Sequence, residues 1–267
     1  MLEVQSLAKR YGEVLALTDL TVTVEHGACL ILLGRNGAGK TTALRCMAGV
    51  LAPSGGTVRV DGIDTALDPA AVRARVGLMP ELPGLYERMS ARAYLDYFGA
   101  IYGMEASMRR HRIEELLDLF ELNDAGDRWL GTFSKGMRQK VALIRATLHR
   151  PRLVLADEPT SALDPDSARR AWAYLKDLQR AGCALVICTH NMDEAEHLGA
   201  ADDGSLAAIG IMSTGRALAV GDISELRKRS GLQVRRELRE LPTLQDIYLA
   251  IVGNHHHEHE PAESRSA

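Results

Sequence analysis

Two stretches near the start, Leu2–Leu7 and Leu20–Val24, alternate apolar and polar residues, the period of a half-buried strand. Ala28–Leu33 is instead apolar throughout, which suits a central strand covered on both faces. Lys40–Val50 has helical spacing, and Gly55-Gly56 turns the chain into another alternating strand, Thr57–Val60. From about Pro83 to Arg150 the pattern is helical. Within it, Ile113, Leu116, Leu117 and Phe120 of His111–Leu122 fall on one helix face. After Pro151 the strand signal returns as Leu153–Ala156 and Ala184–Cys188, interleaved with helices over Ala168–Gln179 and from about Met192. Strands alternating with helices predict an α/β fold with a mainly parallel sheet covered on both faces. The 83–150 block reads as a helical insert in that scaffold.

Composition narrows the class. The 267 residues are ample for a buried core, and 46% apolar with 25% charged residues excludes wholesale disorder. Lys+Arg 32 against Asp+Glu 35 leaves a net charge of −3, so no nucleic-acid partner is expected. No apolar run approaches the ~18–20 residues of a membrane span. The opening Met1–Ser6 lacks the basic flank and apolar stretch of a secretory signal. Cys29, Cys46, Cys183 and Cys188 form no Cys-x-x-Cys pair and read as reduced core thiols of an intracellular chain. Residues 254–267, with His255–Glu260, read as a disordered, inert tail beyond a unit spanning 1–253. Arg227-Lys228-Arg229 and Arg235-Arg236 are broken up by Glu225, Glu237 and Glu240, the pattern of a solvated face.

Candidate chemistry begins at Gly34-Arg35-Asn36-Gly37-Ala38-Gly39-Lys40-Thr41, which satisfies G-x-x-x-x-G-K-[ST] between a buried strand and a helix. Such glycines let consecutive N–H groups turn toward phosphate oxygens, and the helix N-terminus adds its dipole. Lys40 is then placed for the β- and γ-phosphates and Thr41 for Mg²⁺. Asp157 and Glu158 end an apolar strand; taken alone the pair is a turn or a helix cap. Beside a phosphate loop, Asp157 suits the Mg²⁺ shell and Glu158 the attacking water. His190 follows the strand Ala184–Cys188, whose C-terminal end should open on the same crevice. Ser134 reads as a helix cap and Gly136 as a point of close backbone approach; a second helix N-terminus could also serve another chain's nucleotide.

Together these residues resemble the ATP-binding subunits of ABC transporters, over about Leu2 to Gly253. Gly34–Thr42 resembles the Walker A loop, Leu153–Glu158 Walker B with its catalytic glutamate, and Phe133–Met137 the signature motif. Ser161–Asp164 is similar to the D-loop, His190 to the switch histidine, and Tyr11 to the aromatic that stacks on adenine. The resemblance implies a P-loop NTPase with a RecA-like core, an N-terminal antiparallel β subdomain, an inserted helical subdomain at about 83–150 and a C-terminal extension from about 216 to 253. It implies ATP and Mg²⁺ bound by Tyr11, Gly34–Thr42 (Thr42 included), Asp157 and Glu81, with Ser134, Gly136 and Asp164 completing the site of a second copy. Glu158 and His190 would be catalytic. A separate membrane permease is the implied partner, with the chain peripheral on the cytoplasmic face. Pro80–Tyr86, Thr189–Glu196 and Thr243–Tyr248 are similar to subunits of drug, sodium and polysaccharide exporters. A soluble ABC-type protein of translation or DNA repair is the alternative.

Three departures stand out. Glu81 takes the place of the family's Q-loop glutamine. At an effective dielectric of ~20 and ~5 Å, a carboxylate there meets each unit of phosphate charge with ~3 kcal/mol of repulsion before screening. It must therefore either meet Mg²⁺ or turn away to a cation on the permease, and the second is the more easily tolerated. Lys135 and Met137 replace commoner signature residues. The stretch Leu198–Ile211, with Asp202–Ser205, is looser than the family's segment after the switch histidine and reads as a short insertion.

Overall fold

The computed structural model describes residues 1–199, 206–231, 244, 247, 248, 250 and 251. The first sheet is antiparallel: β1 (Leu2–Tyr11) pairs with β2 (Val14–Leu17), β3 (Val22–Val24) and β5 (Gly55–Val60), and β5 with β6 (Ile63–Asp64). Neither β2 nor β6 was legible in the sequence; both are short hairpin arms held by pairing to a longer neighbour. Gly55-Gly56 lies inside β5, with Gly56 at φ +75°, instead of forming a turn ahead of it.

The second sheet carries the site. Its order is β11 (Arg216–Gly221), β10 (Leu206–Ser213), β4 (Ala28–Leu33), β9 (Ala184–Thr189), β8 (Leu153–Asp157), β7 (Val76–Met79). All neighbours are parallel except the β10–β11 edge pair. The alternation hidden in the apolar strands shows in the packing. Ile31, Leu33, Val154, Ala156, Leu185 and Ile187 face one core, and Leu30, Leu32, Leu153, Leu155 and Val186 the other. The second core holds α1 (Lys40–Met47) between the two sheets. The first lies under α5 (Lys135–Thr147), α6 (Pro165–Arg180) and α7 (Met192–Gly199). All four cysteines are buried and free, and burial pushes the thiols of Cys29 and Cys183 up to about 12.

A single long crossover joins β7 to β8. It contains α3 (Ala91–Ile101) and α4 (Ala106–Leu119), and then α5, which returns to lie on β7. A short α2 (Pro69–Arg73) precedes β7, and α8 (Ile223–Ser230) follows β11. The extension expected from 216 therefore opens with an edge strand of the central sheet. Ile209 and Ile211, from the stretch that read as loose, are buried strand residues paired in register with Ile31 and Leu33. The expected insertion at 202–205 and the tail 254–267 lie outside the described residues. No helix among the described residues is long and apolar enough to cross a membrane.

Candidate functional site

The C-terminal ends of β4, β8 and β9 meet at one place because the strands are parallel neighbours. The loop after β4 passes from Gly34 to Lys40 with Gly37 at φ +84° and Gly39 at φ +99°, a left-handed path that suits glycine. Gly39 is tied twice: a Cβ there would stand 2.7 Å from the Ala16 carbonyl oxygen. A Cβ on Gly34 would likewise stand 2.5 Å from the Met212 carbonyl oxygen. Lys40 is buried, and its ammonium donates to the carbonyls of Gly34 at 2.6 Å and Arg35 at 3.3 Å. A cleft of about 380 Å³ opens above it, lined by Asn36, Lys40, Thr41, Thr42, Glu81 and Asp157 among others.

Across the cleft Thr41 Oγ1 donates to Asp157 Oδ2 at 2.6 Å. Asp157 is 2% exposed, and burial raises its carboxyl above the ordinary range; Thr41 and Lys40 oppose that rise, while Glu158 and Glu81 add to it. Thr41, Asp157 and Glu81 line one cleft with hard oxygen donors, the donor type that Mg²⁺ takes. Among the described residues no three His, Cys, Asp or Glu side chains gather closely enough to hold a metal ion by themselves. Glu81 lines this cleft from an exposed position, with no hydrogen bond or ion pair among the described residues.

Glu158 is 5% exposed and sits at φ +51°, a strained conformation for a residue with a side chain. Its backbone is held on both sides: its N–H donates to the Cys188 carbonyl at 2.8 Å, and its own carbonyl accepts from Gln139 Nε2 at 2.8 Å. The carboxylate meets His190 Nδ1 at 2.6 Å and accepts from Thr189 Oγ1 at 3.3 Å. His190 is more than half exposed and, with Arg35, Asn36, Met192 and Tyr248, lines a neighbouring pocket of about 360 Å³.

Other predicted residues lie outside the cleft. Tyr11 is 44% exposed at the end of β1, on the hairpin that brings Ala16 to the cleft, with Lys9 over its ring at 5.4 Å. Ser134 caps α5, its hydroxyl accepting from the Met137 N–H at 3.2 Å. Asp164 caps α6 through the Ser167 N–H at 2.9 Å, and these helix-end bonds lower its pKa. A Cβ on Gly136 would come within 2.9 Å of the Ala162 carbonyl, so its openness serves an approach within this chain. Sequence reading assigned no role to Thr189 or Gln139. Their only signal is adjacency, of Thr189 to His190 and of Gln139 to the Phe133–Met137 motif.

The family model described as ABC transporter matches residues 17–161. The chain is 44% identical over 184 residues to the "ABC transporter ATP-binding protein NatA" of Bacillus subtilis, spanning 68% of this chain and 75% of that one. It is 33% identical over 226 residues to the "Nod factor export ATP-binding protein I" of Cupriavidus metallidurans, covering 85% and 72% respectively. A solved structure described as the ATP-binding subunit of an ABC transporter superposes with a TM-score of 0.84 at 28% identity, over 94% of this chain and 99% of that one.

Proposed function

The chain belongs to the ABC transporter family, as an ATP-binding and ATP-hydrolysing transport subunit, and we propose from that premise how its residues carry the activity. The contact of Glu158 with His190 at 2.6 Å, beside the phosphate loop, carries the reading. ATP lies with its phosphates along Gly34–Thr42, where Lys40 exchanges the loop carbonyls for β- and γ-phosphate oxygens. Tyr11 stacks on the adenine. Thr41, Asp157 and Glu81 would hold Mg²⁺, which when bound would neutralise charge on the phosphate oxygens. Glu158 accepts a proton from water as the water oxygen bonds to the γ-phosphorus and the bond to the bridging oxygen breaks, leaving ADP and phosphate. His190 orients Glu158 and meets the γ-phosphate.

Two copies sandwich two nucleotides in this proposal, each copy lending Ser134, Gly136 and Asp164 to the other. The capping positions of exposed Ser134 and Asp164, away from their own cleft, support it. A separate permease is the membrane partner, with the subunit on its cytoplasmic face. The exposed apolar side chains of Leu82, Tyr86, Tyr97 and Ile101, following Glu81 in sequence, support a docking face there. Export is the direction supported by the relative named for Nod factor export. Relatives that are transport subunits displace the translation or repair alternative.

Glu158→Gln tests the reading. It keeps shape and removes the base, so turnover should fall about 10²–10⁴-fold while MgATP still binds. Size-exclusion chromatography with MgATP should then show a dimer. Wild-type turnover in this variant would overturn the assignment.

A further inference from the structure

Behind the Glu158–His190 pair lies a second carboxylate to which the hydrolytic scheme gives no part. Glu194, on α7, is 1% exposed, and its pKa is raised by that burial. Its Oε1 accepts from Thr160 Oγ1 at 2.7 Å and from Trp172 Nε1 at 3.3 Å. Thr160 is itself buried and stands two residues after Glu158, in the tight turn where the Ser161 N–H donates back to the Glu158 carbonyl at 3.3 Å. Glu194 thus ties α7 and α6 to the turn that carries the strained Glu158.

Packing alone gives no reason for an acid here. The neighbouring α7 residues Ala195 and Leu198 already fill the core under β4 and β10. A buried carboxylate carries a desolvation cost that an apolar side chain of similar volume would avoid. What the acid supplies and an apolar residue cannot is a directional acceptor for the hydroxyl of Thr160. Left-handed backbone at Glu158 persists only where its surroundings over-determine it. Gln139 and Cys188 hold Glu158 itself; Thr160 is the hold on the chain that leaves it.

We propose that Glu194 is a positioning residue for ATP hydrolysis, fixing the Glu158 turn through Thr160 and so the direction in which the Glu158 carboxylate points. The proposal rests on the reading that Glu158 carries hydrolysis, and the test separates the two. Steady-state ATPase kinetics and MgATP binding are measured for the full chain and for Thr160→Val, Glu194→Gln, Trp172→Phe and Glu158→Gln. Thr160→Val keeps the volume and deletes the donor; it should lower kcat about 10- to 100-fold with KM and nucleotide affinity within about twofold of wild type. Glu194→Gln retains an acceptor oxygen and should keep kcat within about threefold. Trp172→Phe removes the other donor, which does not lead to Glu158, and should leave kcat near wild type. Wild-type kcat in Thr160→Val alongside an inactive Glu158→Gln would overturn the positioning role and leave the catalytic assignment standing. An equal loss in Trp172→Phe and Thr160→Val would reduce Glu194 to general packing, and an active Glu158→Gln would overturn both readings.

Discussion

Lys40 is held by the loop that it serves. Its ammonium bonds the carbonyls of Gly34 and Arg35, so a buried charge is satisfied before any phosphate arrives. Glu81 is the opposite case, an unpaired carboxylate on the rim of the same cleft, close enough to raise the pKa of Asp157. By sequence, a Glu81 turned away toward the permease is the more easily tolerated arrangement; its place in the cleft near Asp157 supports our proposal that it meets the metal. Glu81→Gln should therefore raise the Mg²⁺ concentration needed for half-maximal ATPase activity in the isolated subunit, while hydrolysis survives. A Mg²⁺ titration against wild type checks it, and an unmoved midpoint would return Glu81 to the permease.

Helix α5 shows how elements set the site. Its N-terminus presents Ser134, its middle sends Gln139 to the Glu158 carbonyl, and its C-terminal part lies on β7. That last approach is so close that a Cβ on Gly77 would overlap the Ala146 carbonyl oxygen. Gly77→Ala should destabilise the fold by about 1–3 kcal/mol, the usual cost of overpacking. Thermal unfolding reads it; an unchanged melting temperature would mean that α5 shifts away at no cost. Just beyond α5, His149 stacks on Tyr102, the residue that ends α3, with ring centroids 3.7 Å apart. Burial pushes the imidazole down to about 4 from its ordinary 6.5. The unfolded chain then takes up a proton below 6.5 that the native state refuses until about 4. This residue's contribution to stability is therefore complete above the first value and lost as pH falls through the second. His149→Phe keeps a ring on Tyr102 and removes the titration, so the difference in melting temperature between variant and wild type should grow in the variant's favour between pH 6.5 and 4. A constant difference would assign the acid sensitivity elsewhere.

At the scale of the whole molecule, a second copy completes the cleft in our proposal. Ser134 and Asp164 cap helices at the surface and do not line the cleft of their own chain. Ser134→Arg should abolish turnover, and so should Lys40→Ala, each in its own homodimer. Mixed, the two variants form a heterodimer in which one composite site carries both defects and the other neither. Recovered ATPase activity on mixing supports sites shared across copies. No recovery in a confirmed heterodimer would mean that both sites must work together or that Ser134 is only a cap.

What the sequence alone determined is what contiguous residues carry. Gly34–Thr42, Asp157-Glu158 and His190 were legible because a phosphate loop is a local backbone path, and because apolar strands announce the parallel sheet at whose ends such residues stand. The fold class followed from the same alternation of strands and helices. Contacts between distant residues were not legible. Thr160 meets Glu194 across a separation of 34 residues, Gln139 meets Glu158 across 19, and Thr41 meets Asp157 across 116. No local periodicity encodes which buried polar group finds which partner; strand order and helix placement decide it. The same holds for β10, whose pairing with β4 turns a loose-looking stretch into the core of the sheet. Residue type and spacing announce the chemistry, while only the packed sheet decides which carboxylate points at the cleft and which one holds it there.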